Sequence, residues 1–212
     1  MEHGDDTATD REASLLKRAR EGELYSRDQL LSLHRERLVA MVHLRMSPRL
    51  ARRVDAVDVV QEAMIEAASR LEQYLAAPSM DFYVWLRWLV RDKLIDLHRQ
   101  HLGAAKRDAN REFFPESEAG AASSIALADF LVADLTSPSR AAAREEIQRV
   151  IQEGLANLAE EESEILMLRH FEQLSIDQAA QCLQISKSGA NKRHLKALRQ
   201  LKTLVAPFLD AD

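Results

Sequence analysis

The chain has 212 residues, 46% of them hydrophobic but only 5% aromatic, with six glycines and a formal net charge of -5. That length suits one or two domains, and a composition rich in Ala, Leu, Arg and Glu is that of a helical protein. The net negative charge excludes a protein that coats nucleic acid indiscriminately, so any such contact must come from locally clustered basic residues.

The acidic opening MEHGDDTATDRE is unlike a signal or transit peptide and reads as a flexible leader. No apolar run is long enough to cross a membrane, so a soluble cytoplasmic protein without a membrane partner is expected. From Glu12 the pattern turns helical through Leu15, Leu16 and Ala19, with Gly22 as its stop. Ser26 or Asp28 can start the next helix, along which Leu30, Leu31, Leu33, Leu38, Val42 and Leu44 recur. Pro48 ends or interrupts it, and helix resumes through Leu50 and Val54.

Asp55 to Leu75 is the next helical stretch. Val59, Ala63, Ile65, Ala67 and Leu71 supply its apolar positions, while Asp58, Gln61, Glu62 and Glu66 form a mostly acidic edge. Such an edge is either a solvated helix face or a docking face for a basic partner. After the break at Ala76 to Ser79, Phe82 to His101 returns to helix. Phe82, Leu86, Leu89, Val90 and Leu97 share a core arc, and Trp85, at the shoulder of the next arc with Asp92, is read as core. Trp88, Arg91, Ile95 and Arg99 form a second arc. Aromatic and arginine side chains interleaved this way either anchor a core and face solvent, or stack on bases and pair with phosphates of a single strand.

Composition then shifts. From Glu112 to Pro138 every charged residue is acidic, and Pro115, Gly120, Ser123, Ser124 and a closing TSPS break the run. This reads as a linker, with a short helix over Ile125 to Val132. Helix returns at Arg140. Ile147, Val150, Ile151, Leu155 and Leu158 form one amphipathic helix, and Glu160 to Phe171 another.

Ser175 to Lys202 closes the pattern. Ser175 and Gln178 have the spacing of a capping box. Ala179, Ala180 and Leu183 follow, Ile185 can plug a turn, and Ser186 can cap the next helix. Ala190, His194, Ala197 and Leu201 share one face of that helix, opposite Lys192, Lys196 and Arg199, with Asn191 and Leu195 between. One buried stripe and one basic stripe is the form of a helix-turn-helix recognition helix. Cys182, the single cysteine, lies in the helix before it. It can form no internal disulfide, lacks ligands in metal-binding spacing, and reads as a buried small side chain.

The fold class is therefore all-α. Two small helical domains, residues 12–111 and 139–206, are joined by an acidic flexible linker, residues 112–138, and the C-terminal one is a helix-turn-helix domain. No Glu-x-x-His pair of a carboxylate metal site, no Gly-rich phosphate loop and no nucleophile motif occurs. No catalytic residue, metal or cofactor is expected.

Three motifs in register resemble the extracytoplasmic-function (ECF) sigma factors of the sigma-70 family. They are Asp55-Ala-Val-Asp58-Val-Val-Gln61-Glu62; then Phe82, Trp85, Leu86, Leu89, Arg91, Asp92, Ile95, Asp96 and Arg99 at the family's spacing; and Leu166-x-Leu168-Arg169-x-Phe171-Glu172-x-Leu174-Ser175 with the hairpin after it. The resemblance covers about Glu12 to Leu204. It implies that Asp58, Gln61 and Glu62 dock on the clamp helices of the largest subunit of core RNA polymerase, with the flap of the second-largest as a further partner.

It also implies that Trp88, Arg91 and Arg99 line the melted -10 strand of promoter DNA, beside a pocket walled by Tyr74 to Asp81. Asn191, Lys192, Lys196 and Arg199 would contact the -35 duplex, and the linker would follow the RNA exit path. An anti-sigma factor is a common partner in the family, and nothing in the sequence identifies one. The departures are Gln184 where glycine is frequent, Gly189-Ala190 at the start of the recognition helix, and His194 at a core-facing position. The alternative is a stand-alone helix-turn-helix regulator with an N-terminal helical sensor domain, binding duplex DNA as a dimer.

Overall fold

The computed structural model describes residues 3–102, 123–124, 126–127 and 144–209, with side chains for 10–101, 123–124, 126–127 and 149–206. Every regular element among them is helical. The N-terminal half comprises α1 (His3–Arg20), α2 (Leu24–Leu33), α3 (Arg35–Arg45), the short α4 (Pro48–Ala51), α5 (Ala56–Ala76) and α6 (Phe82–Leu102). The C-terminal half comprises α7 (Arg144–Ala156), α8 (Glu160–Leu166), α9 (Ile176–Leu183) and α10 (Lys187–Leu209), with a π-helical segment, Met167–Phe171, continuing α8.

The first helix corrects the expected leader, because it begins at His3 and takes in most of the acidic opening. Gly22 stops it as expected, at φ 91, a conformation that a Cβ would disfavour. The second helix begins earlier than either capping candidate, at Leu24, and Ser26 is buried within it. The stretch up to Leu44 is two helices rather than one, because the backbone breaks at His34, φ -105 and ψ 6. There the His34 ring lies edge-on to Tyr83, centroids 5.2 Å apart, and its Nε2 is 2.5 Å from Glu12 Oε2. Pro48 opens the single turn of α4 at its first helical position, where no N–H is needed, and Ser47 Oγ accepts from Leu50 N at 3.4 Å.

The central helices follow their periodicity closely. Asp55 caps α5 by accepting from Val57 N at 2.8 Å, and Val59, Ala63, Ala67 and Leu71 are buried. Against them α6 presents Phe82, Leu86, Leu89 and Val90, all buried, with Leu97 packed at the margin. Burying a side chain of this size contributes about 1.5–3 kcal/mol, so this pair of helices is the centre of the N-terminal half. Ile65, expected among the core positions of α5, is instead 68% exposed. Among the described residues, no helix covers it.

In the C-terminal half, Val150, Ile151 and Leu155 of α7 and Ile165, Leu166 and Leu168 of the next segment enclose Ala190, Ala197, Leu201 and Val205 of α10. Gly154 lets α7 and α10 approach closely, since a Cβ there would meet Leu201 Cδ1 at 2.6 Å. The turn after the π-helical segment passes through Gln173 at φ 55, and the turn after α9 through Gln184 at φ 54. Each left-handed non-glycine residue costs about 1 kcal/mol. Packing on both sides holds them, and Arg169 Nη1 donates to the Leu174 carbonyl across the first turn. Of the expected linker, residues 123–124 and 126–127 are helical and Leu127 joins the core. The rest of the linker, including most of the expected helix over 125–132, lies outside the described residues.

Candidate functional site

Three surfaces carry the residues expected to bind partners, and each is positioned by a different local device. On α5, Asp58, Gln61 and Glu62 are all exposed. Glu62 pairs with Lys93 of α6 and stays half exposed. Val57 and Ile65 stand exposed beside them, so the edge is acidic with apolar flanks. Periodicity alone placed Ile65 in the core; its exposure makes it a member of this surface that sequence reasoning missed.

The second surface lies on α6 and the loop before it. Tyr74 stacks on Trp85 at 4.7 Å between centroids, Phe82 lies 5.6 Å from Trp85, and Tyr74 Oη donates to the Met80 carbonyl at 2.8 Å. Burial, with the Asp81 carboxylate nearby, pushes the Tyr74 phenol up to about 12, so it remains a neutral donor and keeps the loop folded back. Trp88 is half-buried, whereas Arg91 and Arg99 are exposed, Arg99 reaching Asp96 at 3.3 Å. An aromatic edge and two exposed guanidinium groups, that of Arg99 paired with Asp96, thus share one arc, which suits stacking and phosphate contact.

The third surface is the helix-turn-helix. Both halves of the capping box form at α9, Gln178 N donating to Ser175 Oγ and Ser175 N donating to Gln178 Oε1, each at 3.1 Å. Ser186 Oγ accepts from Gly189 N at 3.0 Å and starts α10, and Lys187 Nζ reaches Asp177 at 2.7 Å across the turn. Asn191, Lys192, Lys196 and Arg199 are exposed. Lys196 Nζ is also 2.7 Å from Glu162, a largely buried carboxylate of α8, and Arg193 is 2.9 Å from Glu161. Part of the basic stripe is therefore neutralised from within the domain, whereas Lys192 and Arg199 form no ion pair among the described residues.

His194 corrects its core assignment. It is half-buried and stacks on His170, with the two Nε2 atoms 2.9 Å apart. Burial, then the neighbouring His194 and Arg169, hold His170 down to about 4, and burial and Arg169 lower His194. Both rings stay neutral in the fold, while in the unfolded chain they take up a proton near pH 6.5. The unfolded state binds more protons between these values, so the stability conferred is complete above pH 6.5 and is lost as pH falls towards 4. Thermal unfolding followed from pH 7 to 4.5 should show a falling midpoint, and His170→Phe should reduce that fall by several degrees. Equal falls in both proteins would remove the pair from the acid response.

Cys182, expected to be buried, is half-buried, and burial pushes its thiol up, away from the reactive thiolate range. Among the described residues, no group of three or more His, Cys, Asp or Glu side chains could hold a metal ion, and no helix is long and apolar enough to cross a membrane.

Comparison with known proteins finds a match in both halves of the chain. Residues 31–102 match the family described as sigma-70 region 2, and residues 154–203 the family described as sigma-70, region 4. The chain is 29% identical over 156 residues to the RNA polymerase sigma-H factor of Pseudomonas aeruginosa, covering 73% of this chain and 75% of that one. It is 22% identical over 197 residues to the ECF RNA polymerase sigma-E factor of Haemophilus influenzae, covering 92% and 96%. Its fold is similar to that of CnrH, solved in complex with the cytosolic domain of CnrY, with a TM-score of 0.54 and 23% identity over 95% of this chain and 99% of that one.

Proposed function

Because this chain belongs to the sigma-70 family, as a sigma factor of the ECF type, we propose that it binds core RNA polymerase and directs initiation by reading a -35 element and trapping a melted -10 strand. The observation that carries the reading is the match to region 2 and region 4, in that order. It falls on a chain whose α5, α6 and α10 expose an acidic edge, an aromatic and arginine edge, and a basic recognition helix.

Asp58, Gln61 and Glu62 would dock on the clamp helices of the largest polymerase subunit. Polar contacts there favour orientation and a complex that can dissociate, which a reusable initiation factor requires. The C-terminal domain would meet the flap of the second-largest subunit and the -35 duplex, with Asn191, Lys192 and Lys196 at the groove and Arg199 on the backbone. Extruding a base from the duplex costs a few kcal/mol. The Tyr74 to Asp81 loop would wall a pocket that offsets this, with Trp88, Arg91 and Arg99 along the strand. The acidic linker would run through the basic RNA exit path.

Run-off transcription with purified core polymerase tests the proposal. Discrete start sites should appear only when both proteins are present. Tight binding of promoter duplex by the isolated protein as a dimer, with no effect on polymerase, would favour the stand-alone regulator instead.

A further inference from the structure

The two halves of the chain meet at a buried ionic cluster. Arg45, at the end of α3, donates through Nη1 and Nη2 to Glu164 at 2.9 and 2.8 Å and through Nε to Glu172. Arg87, from the middle of α6, donates to Glu172 through Nε at 2.6 Å and Nη2 at 3.0 Å. Arg45, Arg87 and Glu172 are 9%, 2% and 5% exposed. Both guanidinium groups belong to the N-terminal half and both carboxylates to the C-terminal half.

Polar contacts surround the cluster. Arg37 covers the Tyr83 ring at 3.9 Å and donates to the Gln173 carbonyl at 3.2 Å. On the far side, Asp81 N donates to Gln181 Oε1 at 2.8 Å, and Gln178 Nε2 donates to Asp81 Oδ1 at 3.2 Å. The first helix of the helix-turn-helix therefore touches the loop at Asp81, its last residue, while Ala76 to Ser79 stay exposed.

We infer that this protein latches itself shut: Glu172 and Glu164 of the C-terminal domain, clamped by Arg45 and Arg87, hold the two promoter-reading domains together, unable to reach both promoter elements, until polymerase separates them. That consequence for promoter binding rests on the function proposed above; the closure itself rests on the contacts alone. Closed, the domains lie side by side. A -35 and a -10 element are separated by more than one turn of duplex, about 34 Å each, so one chain cannot occupy both while latched. The 27 residues from Glu112 to Pro138 set an upper limit of about 90 Å on any separation, at about 3.3 Å per residue, and Leu127 would leave the core before that limit is approached.

The latch is resistant to ordinary changes of solution. Buried pairs are screened by salt far less than exposed ones. Burial alone would raise the Glu172 carboxyl, but Arg45 and Arg87 outweigh it and hold it down at about 2. The cluster's contribution is therefore complete above the usual carboxylate range and is lost only as pH falls through about 2. Opening must come from competing contacts, as core polymerase would supply by engaging both domains at once.

Removing one member strands its partner as a buried unpaired charge, which shifts a closed-to-open ratio on the order of a hundredfold or more. Small-angle scattering and amide exchange on the full chain test the closure without polymerase or DNA. Wild type should scatter as one compact body and protect the Asp81 amide. Glu172→Lys and, independently in the other domain, Arg45→Glu should expand the particle and expose that amide, with helical circular dichroism unchanged.

Two separated bodies in wild type, or two folded variants that stay compact and protected, would overturn the latch while leaving run-off transcription, and the function it tests, untouched.

Discussion

With Lys192 and Lys196 both replaced by alanine, run-off transcription from a cognate promoter falls by about a hundredfold or more, while pull-down of core polymerase is unchanged. Each contact to a base or phosphate contributes about 1–3 kcal/mol, and 1.4 kcal/mol is tenfold in an equilibrium. The two lysines, exposed on adjacent turns of α10, act on the same groove. Their shares are unequal. Lys196 is held 2.7 Å from Glu162, so its charge is partly cancelled before DNA arrives, and Lys192→Ala alone should account for most of the loss. Since neither side chain belongs to the buried stripe of Ala190, Ala197 and Leu201, the domain stays folded. Undiminished promoter output from the double variant would sink the assignment of α10 as the recognition helix.

Charge reversal on α5 should have the opposite signature. Glu62→Lys is expected to weaken core polymerase binding by tenfold to a hundredfold, because like charges across an interface cost several kcal/mol. Transcription should fall with it and recover as polymerase is raised. The same change also breaks the pairing of Glu62 with Lys93. That bridge is partly exposed, and exposed pairs contribute about 0–1 kcal/mol, so Lys93→Ala serves as the control and should leave polymerase binding nearly intact. If Glu62→Lys binds polymerase as wild type does, the acidic edge of α5 is an ordinary solvated face.

These two surfaces were legible in the sequence because each is local. The spacing of Asp58, Gln61 and Glu62 against Val59, Ala63 and Ala67 puts the first group on the open side of α5 whatever the helix packs against. The capping box of Ser175 and Gln178, the start of α10 at Ser186, and the stop at Gly22 follow from side-chain chemistry within a few residues. Other positions could not be read this way. Ile65 carries an apolar side chain at a plausible core spacing, yet it is exposed because no helix among the described residues covers it. The break at His34 has no glycine or proline to announce it; contacts with Glu12 and Tyr83 make it.

The sequence by itself determined that this chain is helical, that it has an acidic edge on α5, an aromatic and arginine edge on α6 and a helix-turn-helix, and to which family it belongs. Helical periodicity and capping act over three or four residues, so the order of the residues contains them. Only the tertiary structure decided that Arg45 and Arg87 meet Glu172, across 127 and 85 positions of sequence. It also decided that Lys196 is restrained by Glu162 while Lys192 forms no ion pair among the described residues. Read in sequence, Arg87 is one more polar residue on α6 and Glu172 one letter of a motif. Which charge lies opposite which is set by the packing of whole helices, and the acidic linker between the two halves contains no periodic signal from which that packing could be foretold.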